Sequence, residues 1–216
     1  MRDLGNYYKV GDAWLAVLRS IADNGAIVNS GEEIYRELKG VVFSARCDFP
    51  DIILDKYAKS ANILWMKKNF TSFNTITELN GARSYASRLF SYGETKNQLK
   101  WVAQKLNANQ NTRSATITML EPLTDQSYIP CISMLDFDVS DGKLNIYVYA
   151  RALDFGKKAY ANMLSIWDIL KDMSAYTSIE IGKMIWICKS VHYYSADFEQ
   201  IEKMLGELDE YKPCTV

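Results

Sequence analysis

Apolar positions recur along this chain with a helical period at first, and the period shortens in the middle. In "VGDAWLAVLRSIA", residues 10–22, Trp14, Leu15, Leu18 and Ile21 fall three and four apart before "DNG". That spacing predicts a helix with one buried stripe. "DIILDKYAKSANILWMKK", residues 51–68, carries Ile53, Leu54, Tyr57, Ala61, Leu64 and Trp65 in the same rhythm and predicts a second helix with that face buried. A third is expected in "GETKNQLKWVAQKLNANQNT", with Leu99, Val102 and Leu106 on one side and "NANQN" ending it.

Between these lies "GVVFSAR", residues 40–46, a β-branched and aromatic run that reads as a strand. From residue 113 the pattern turns to strands. "RSATITML" and "CISMLDFDV" are β-rich, "SDG" is a turn, and "KLNIYVYA" alternates Leu144, Ile146 and Val148 with Asn145, Tyr147 and Tyr149. Two of these runs are expected to form a hairpin. "ANMLSIWDILKDMSAY" then places Met163, Ile166, Trp167 and Leu170 on one helical stripe, "GKMIWICKSVHYYS" is a strand, and "ADFEQIEKMLGEL" is a short helix. The sum is α+β: a mixed sheet wrapped by helices, expected as a single domain over residues 1–216.

Composition narrows the function classes. The 25 basic and 26 acidic residues nearly balance, so a general nucleic-acid or membrane-surface role is not expected, and an anionic partner must be held locally. Cys47, Cys131, Cys188 and Cys214 show no paired spacing, which suggests neither a zinc site nor a disulfide framework and makes a reduced, cytoplasmic setting the default. No metal site is expected. The N-terminal stretch does not read as a leader, and no run is apolar and long enough for a membrane span.

Taken singly, the candidates for chemistry are ambiguous. A cysteine in a strand-rich segment is ordinarily an inert core residue, although Pro130 before Cys131 marks a strand start, where a side chain can face a cleft. Arg151 at a strand end is ordinarily a solvated rim residue. His192, the chain's single histidine, stands in "CKSVHYYS" and cannot be paired with Cys131 from spacing alone.

The ordered set is more informative than its members. Pro130-Cys131, "DGKL" at 141–144, "YARALD" ending at Asp154, Asn162 eight residues on, then His192 and Tyr194 together resemble the thymidylate synthase family, which includes the pyrimidine-nucleotide hydroxymethylases. The intervals fit without a gap, and the likeness is strongest from about 97 to 200 and weak before 60. "NILWM" resembles the family's "ELLWFL" helix, and "GEEIYREL" resembles the short, archaeal-like members.

The resemblance implies a one-carbon transferase acting at C5 of dUMP or UMP, in a homodimer formed through the sheet. Cys131 would add to C6 as a thiolate, favoured by a cation such as Arg151. Arg151 and, from across the dimer interface, Arg113 would hold the 5′-phosphate of a pyrimidine nucleoside monophosphate. Asn162 would read the pyrimidine O4 and N3, His192 and Tyr194 the sugar hydroxyl, and Tyr85 would handle protons. Asp154 would hold the pterin of methylenetetrahydrofolate or a related reduced pterin, and the tail ending at Val216 would close over it.

Four departures qualify that picture. The family's glutamate falls on Asn62, which cannot act as an acid or base; Ser114 and Ala152 thin the phosphate cage. Lys157 and Lys158 replace glycine-rich sequence and read as a solvated face, and "CKS" at 188–190 replaces "GGD". Loss of transfer with retained nucleotide binding, or another reaction begun by C6 addition, are therefore the alternatives.

Overall fold

The period-2 runs in the middle of the chain form the centre of one mixed sheet. The computed structural model describes residues 1–51, 56–73, 75–76, 81–125 and 128–216. Strands β1 (Arg2–Tyr7), β3 (Ile34–Ala45), β10 (Glu180–Tyr194), β8 (Lys143–Ala150), β7 (Ile132–Ser140) and β6 (Thr116–Thr118) lie side by side in that order, with β2 (Ala26–Asn29) beside β3 and β9 (Leu153–Asp154) beside β10. β10 runs antiparallel to β3 but parallel to β8 and β9. The expected hairpin is β7–β8. Its two-residue turn puts Asp141 at φ 53° and Gly142 at φ 73°, the left-handed pair that matches the strand twist.

Alternation decides the two faces. Val41 and Phe43 of β3, Ile146 and Val148 of β8, and Met184 and Trp186 of β10 are buried. Helices α1 (Val10–Asn24) and α5 (Ala159–Thr177) pack on these strands, and the stacked Phe43 and Trp186 rings lie 6.1 Å apart. Each such side chain is worth about 1.5–3 kcal/mol when buried. This layer fixes the strand ends that carry the site. The alternate positions Val42, Met134, Tyr147, Tyr149, Ile185 and Ile187 stay only half-buried.

The remaining helices are α2 (Ser60–Thr71), α3 (Tyr85–Phe90), α4 (Gln98–Ala108) and α6 (Phe198–Glu207), and a short hairpin joins β4 (Thr75–Ile76) to β5 (Ala82–Arg83). α4 buries Leu99, Val102 and Leu106 as expected, and α5 buries Met163, Ile166 and Leu170.

The second helix departs from its expected face. α2 starts at Ser60 and buries Met66, Asn69 and Phe70, while Ala61 is exposed and Leu64 is 67% exposed. Its buried stripe is set by Phe70, beyond the window in which the other pattern was read; Ile53 and Leu54 lie outside the described residues. β3 also extends through the charged "IYREL". Pairing on both sides overrides weak strand propensity there, and Arg36 donates to Ala22 O at 2.6 Å.

Candidate active site

Cys131 stands one residue before β7, and the chain around it is stapled by an arginine from the neighbouring strand end. The Arg151 N–H donates to Cys131 O at 2.9 Å, and Arg151 Nε donates to Ile129 O at 3.2 Å and Pro130 O at 3.1 Å. Part of the guanidinium is thereby committed to carbonyls. Nη2 also donates to Ile129 O at 2.5 Å, which leaves the Nη1 edge to face another acceptor.

A cleft of about 500 Å³ opens beside this segment, and its lining includes Trp65, Tyr85, Tyr128, Cys131, Asp154 and Asn162. α3 presents Tyr85 from its first residue. Ser84 caps that helix by accepting from Ser87 N at 3.1 Å, and Asn69 Oδ1 accepts from Tyr85 N at 2.8 Å. The Tyr85 hydroxyl oxygen accepts from Ile132 N at 3.1 Å, and burial pushes the phenol far above its ordinary value. Tyr128 reaches the other side of the cysteine, its hydroxyl 4.0 Å from Sγ.

Asn162 enters from the first turn of α5. Its Nδ2 donates to Lys158 O at 3.1 Å, whereas its buried Oδ1 accepts no hydrogen bond. The carbonyl therefore sets the amide orientation, because flipping it would set two acceptors against each other. A buried acceptor without a donor costs about 1–3 kcal/mol. A ligand N–H in the cleft would relieve that cost.

Asp154 sits on β9, opposite His192 of β10 in register. Asp154 Oδ1 accepts from Gly156 N at 3.0 Å and Lys157 N at 3.2 Å. Burial, and then the charge of Asp197, push its carboxyl up to about 6. Gly156 permits this approach: a Cβ there would lie 2.9 Å from Asp197 Oδ2 and 3.3 Å from Asp154 Oδ1. His192 is buried against Tyr35 and Tyr194, and burial lowers its proton affinity, so the ring is neutral at pH 7.

Cations at the cleft are mostly spoken for. Arg88, itself buried, makes a two-pronged ion pair with Asp125 at 2.8 and 2.6 Å, and Arg83 pairs with Glu121 at 3.1 Å. The expectation of a solvated face at both lysines is corrected for Lys158. It precedes α5 and lines the cleft, with Nζ 5.1 Å from the Trp65 ring centre. Lys157 instead pairs with Asp197 at 3.4 Å.

The cleft thus gathers Tyr85, Cys131, Asp154 and Asn162, and other candidates stand apart from its lining. Asn62 lines an adjacent cleft of about 570 Å³ with Trp14, Tyr160 and Asp197, and donates to Lys157 O at 3.0 Å. Arg113 is exposed in the loop between α4 and β6. Val216 is exposed and its N–H donates to Asn6 O at 3.0 Å, which ties the tail to β1. Tyr128 and Asn69 were missed from sequence. Tyr128, three residues before the cysteine, offered a local signal; Asn69 did not.

The family model for thymidylate synthase matches residues 53–214, most of the chain. A protein provisionally named a thymidylate synthase from Methanosarcina acetivorans is 26% identical over 210 residues, covering 91% of each chain. The deoxyuridylate hydroxymethyltransferase of Bacillus phage SP01 is 32% identical over 127 residues, 52% of this chain and 33% of the phage protein. A thymidylate synthase of Listeria monocytogenes is 27% identical over 128 residues, 58% of this chain and 41% of that one. With a mixed sheet, a cleft at its strand ends and a family match that contains every residue lining that cleft, the chain belongs to the thymidylate synthase family of transferases.

Proposed function

We propose that this chain transfers a one-carbon unit to C5 of dUMP or UMP through a Cys131 adduct at C6. The observation that carries this reading is the pairing, in one cleft, of Cys131 with the buried, unfilled acceptor of Asn162. C5 of a uracil is a poor nucleophile. Addition of the Cys131 sulfur at C6 moves the C5–C6 π pair onto C5 and O4, so C5 becomes enolate-like and able to attack an electrophilic carbon. Loss of the C5 proton then restores the double bond as the C6–S bond breaks and sulfur leaves with its electron pair, and the transferred carbon would exchange its bond to the carrier nitrogen, which leaves with its electron pair, for hydride to give methyl or for water to give hydroxymethyl.

Asn162 selects the base. Its Oδ1 accepts from N3–H while the second hydrogen on Nδ2 donates to O4, and cytosine presents the opposite pattern. The remaining Arg151 N–H groups receive the 5′-phosphate, with Arg113 supplied from a second copy of the chain. His192 and Tyr194 meet the sugar hydroxyl, and Tyr85 passes protons. The half-buried sheet face of Val42, Met134, Tyr147, Tyr149, Ile185 and Ile187 supports a homodimer formed through the sheet.

Methylenetetrahydrofolate, or a related reduced pterin, supplies the electrophilic carbon when bound. Trp65 offers an aromatic wall and Asp154 an acceptor for ring N–H groups, so these residues fit it. The Val216 tail closes over that end of the cleft once it leaves β1. Because an ionised Asp154 accepts more strongly than a protonated one, affinity for tetrahydrofolate is expected to rise by up to about tenfold between pH 5 and pH 7, with its midpoint near the Asp154 value of about 6. Asp197→Asn removes the neighbouring charge and should move that rise to lower pH. Calorimetric titration at several pH values checks both, and a pH-independent affinity contradicts the role of Asp154.

Tritium release from 5-tritiated dUMP or UMP, with and without methylenetetrahydrofolate, tests the function itself. Release is expected; none under either condition refutes the reading.

A further inference from the structure

The mechanism above leaves one side chain against the nucleophile without a task. Tyr128 is half-buried, lines the cleft, and brings its hydroxyl to 4.0 Å from Cys131 Sγ, the outer range for a hydrogen bond to sulfur. We propose that Tyr128 is a catalytic residue, whose hydroxyl donates a hydrogen bond to the Cys131 sulfur while that sulfur is anionic, before it adds to the pyrimidine and again as it leaves. The role rests on the reading of Cys131 as nucleophile.

Geometry favours Tyr128 over its neighbour for this task. Tyr85 already accepts from Ile132 N, which fixes its oxygen against the backbone. Tyr128 and Cys131 are the two ends of one short Tyr-x-x-Cys segment, and Arg151 holds the intervening Ile129 and Pro130 carbonyls as well as Cys131 O. Those bonds hold the backbone between the two residues, so hydroxyl and sulfur separate only by side-chain rotation. Burial, and then Cys131 itself, push the Tyr128 phenol well above its ordinary value, so it stays protonated and serves as donor. The proton balance is simple. The thiol proton goes to solvent, Tyr128 keeps its own, and a sulfur lone pair forms the C6–S bond.

Other groups also act on this sulfur. Tyr85 of α3 and Tyr194 of β10 interact with it, Arg151 follows β8, and Asp154 of β9 and Lys158 before α5 line the same cleft. Arg83 and Arg88 are occupied by Glu121 and Asp125. None of these is altered by removing one phenolic oxygen, so Tyr128→Phe isolates the contact.

The test is the rate at which iodoacetamide alkylates Cys131 in the whole protein, resolved by peptide mass spectrometry from Cys47, Cys188 and Cys214. Tyr128→Phe should react about tenfold more slowly at pH 7, the low end for one hydrogen bond to a charged group, and as fast as the unmodified protein at pH 10.5, where thiols are ionised. Equal rates at pH 7, a faster variant, or the same slowing at both pH values would each overturn the proposal, the last because it reports access instead of charge. The reagent needs neither nucleotide nor folate. A silent tritium assay would therefore leave the Tyr128 result standing, and an unchanged alkylation rate would leave the one-carbon reading standing.

Discussion

Cys131→Ser should abolish tritium release from 5-tritiated dUMP, lowering turnover by about 10⁴-fold or more while nucleotide affinity stays within about threefold. The asymmetry follows from the site. A thiol ionises near neutral pH and its anion attacks directly, whereas a serine hydroxyl needs a base to take its proton. The groups flanking Cys131 are phenols pushed upward by burial, which hold their protons. Asn162, proposed above to read the base, is untouched by the change and lies on a different element. Affinity measured by calorimetry and turnover by tritium release should thus separate; if both fall together, Cys131 serves to shape the cleft and not to react.

The second large effect is on stability. Arg88→Met should destabilise the protein by about 3–5 kcal/mol, because it leaves Asp125 charged and without its partner in a largely buried place. Against the 5–15 kcal/mol that holds a typical domain together, that is a large share. Arg88 also donates to Met119 O at 2.6 Å and to Arg83 O at 3.2 Å, and Asp125 accepts from Glu121 N at 2.7 Å. The pair therefore ties α3, which carries Tyr85, to the segment leading toward Tyr128. Denaturant unfolding measures the loss, and a change under about 1 kcal/mol would show the pair to be dispensable.

The same pair sets an acid limit. Burial alone would raise the Asp125 carboxyl, but the hydrogen bonds from Arg88 and Glu121 N and the Arg88 charge outweigh it, holding the group below the ordinary carboxylate range. A depressed native value stabilises the fold above the unfolded value near 4, and that contribution is lost as pH falls through the native one. Asp154 has the opposite sign. Its raised value means that its contribution to stability falls as pH rises from about 4 to about 6.

Much of the fold was legible because its central elements obey one period each. β8 alternates except at the buried Asn145, the Asp141-Gly142 turn has the residues that a left-handed pair requires, and α4 and α5 carry apolar stripes at helical spacing. What escaped was decided by tertiary contacts. β1, β2 and the charged start of β3 are strands because β3 pairs on both sides, and α3 is six residues long, too short for a periodic signal. At the site, Cys131, Asp154 and Asn162 were marked by their order along the chain, and the structure gathers them with Tyr85. The contact of Tyr128 with Cys131 and the burial of Arg88 depend on how residues 119–125 lie against α3 and how 128–131 lie beside the cleft, which no local pattern encodes.

Asn62 marks the most consequential departure from the family pattern. Its amide is turned to Lys157 O, in the cleft beside the one that holds Cys131. A chain without the family's glutamate still keeps a cysteine, Cys131, in the neighbouring cleft.

Mass spectrometry of the intact protein mixed with 5-fluoro-dUMP, with and without methylenetetrahydrofolate, tests the central claim most directly. A covalent adduct that maps to Cys131 and forms with the folate present is the predicted result. No adduct at Cys131 under either condition would contradict it.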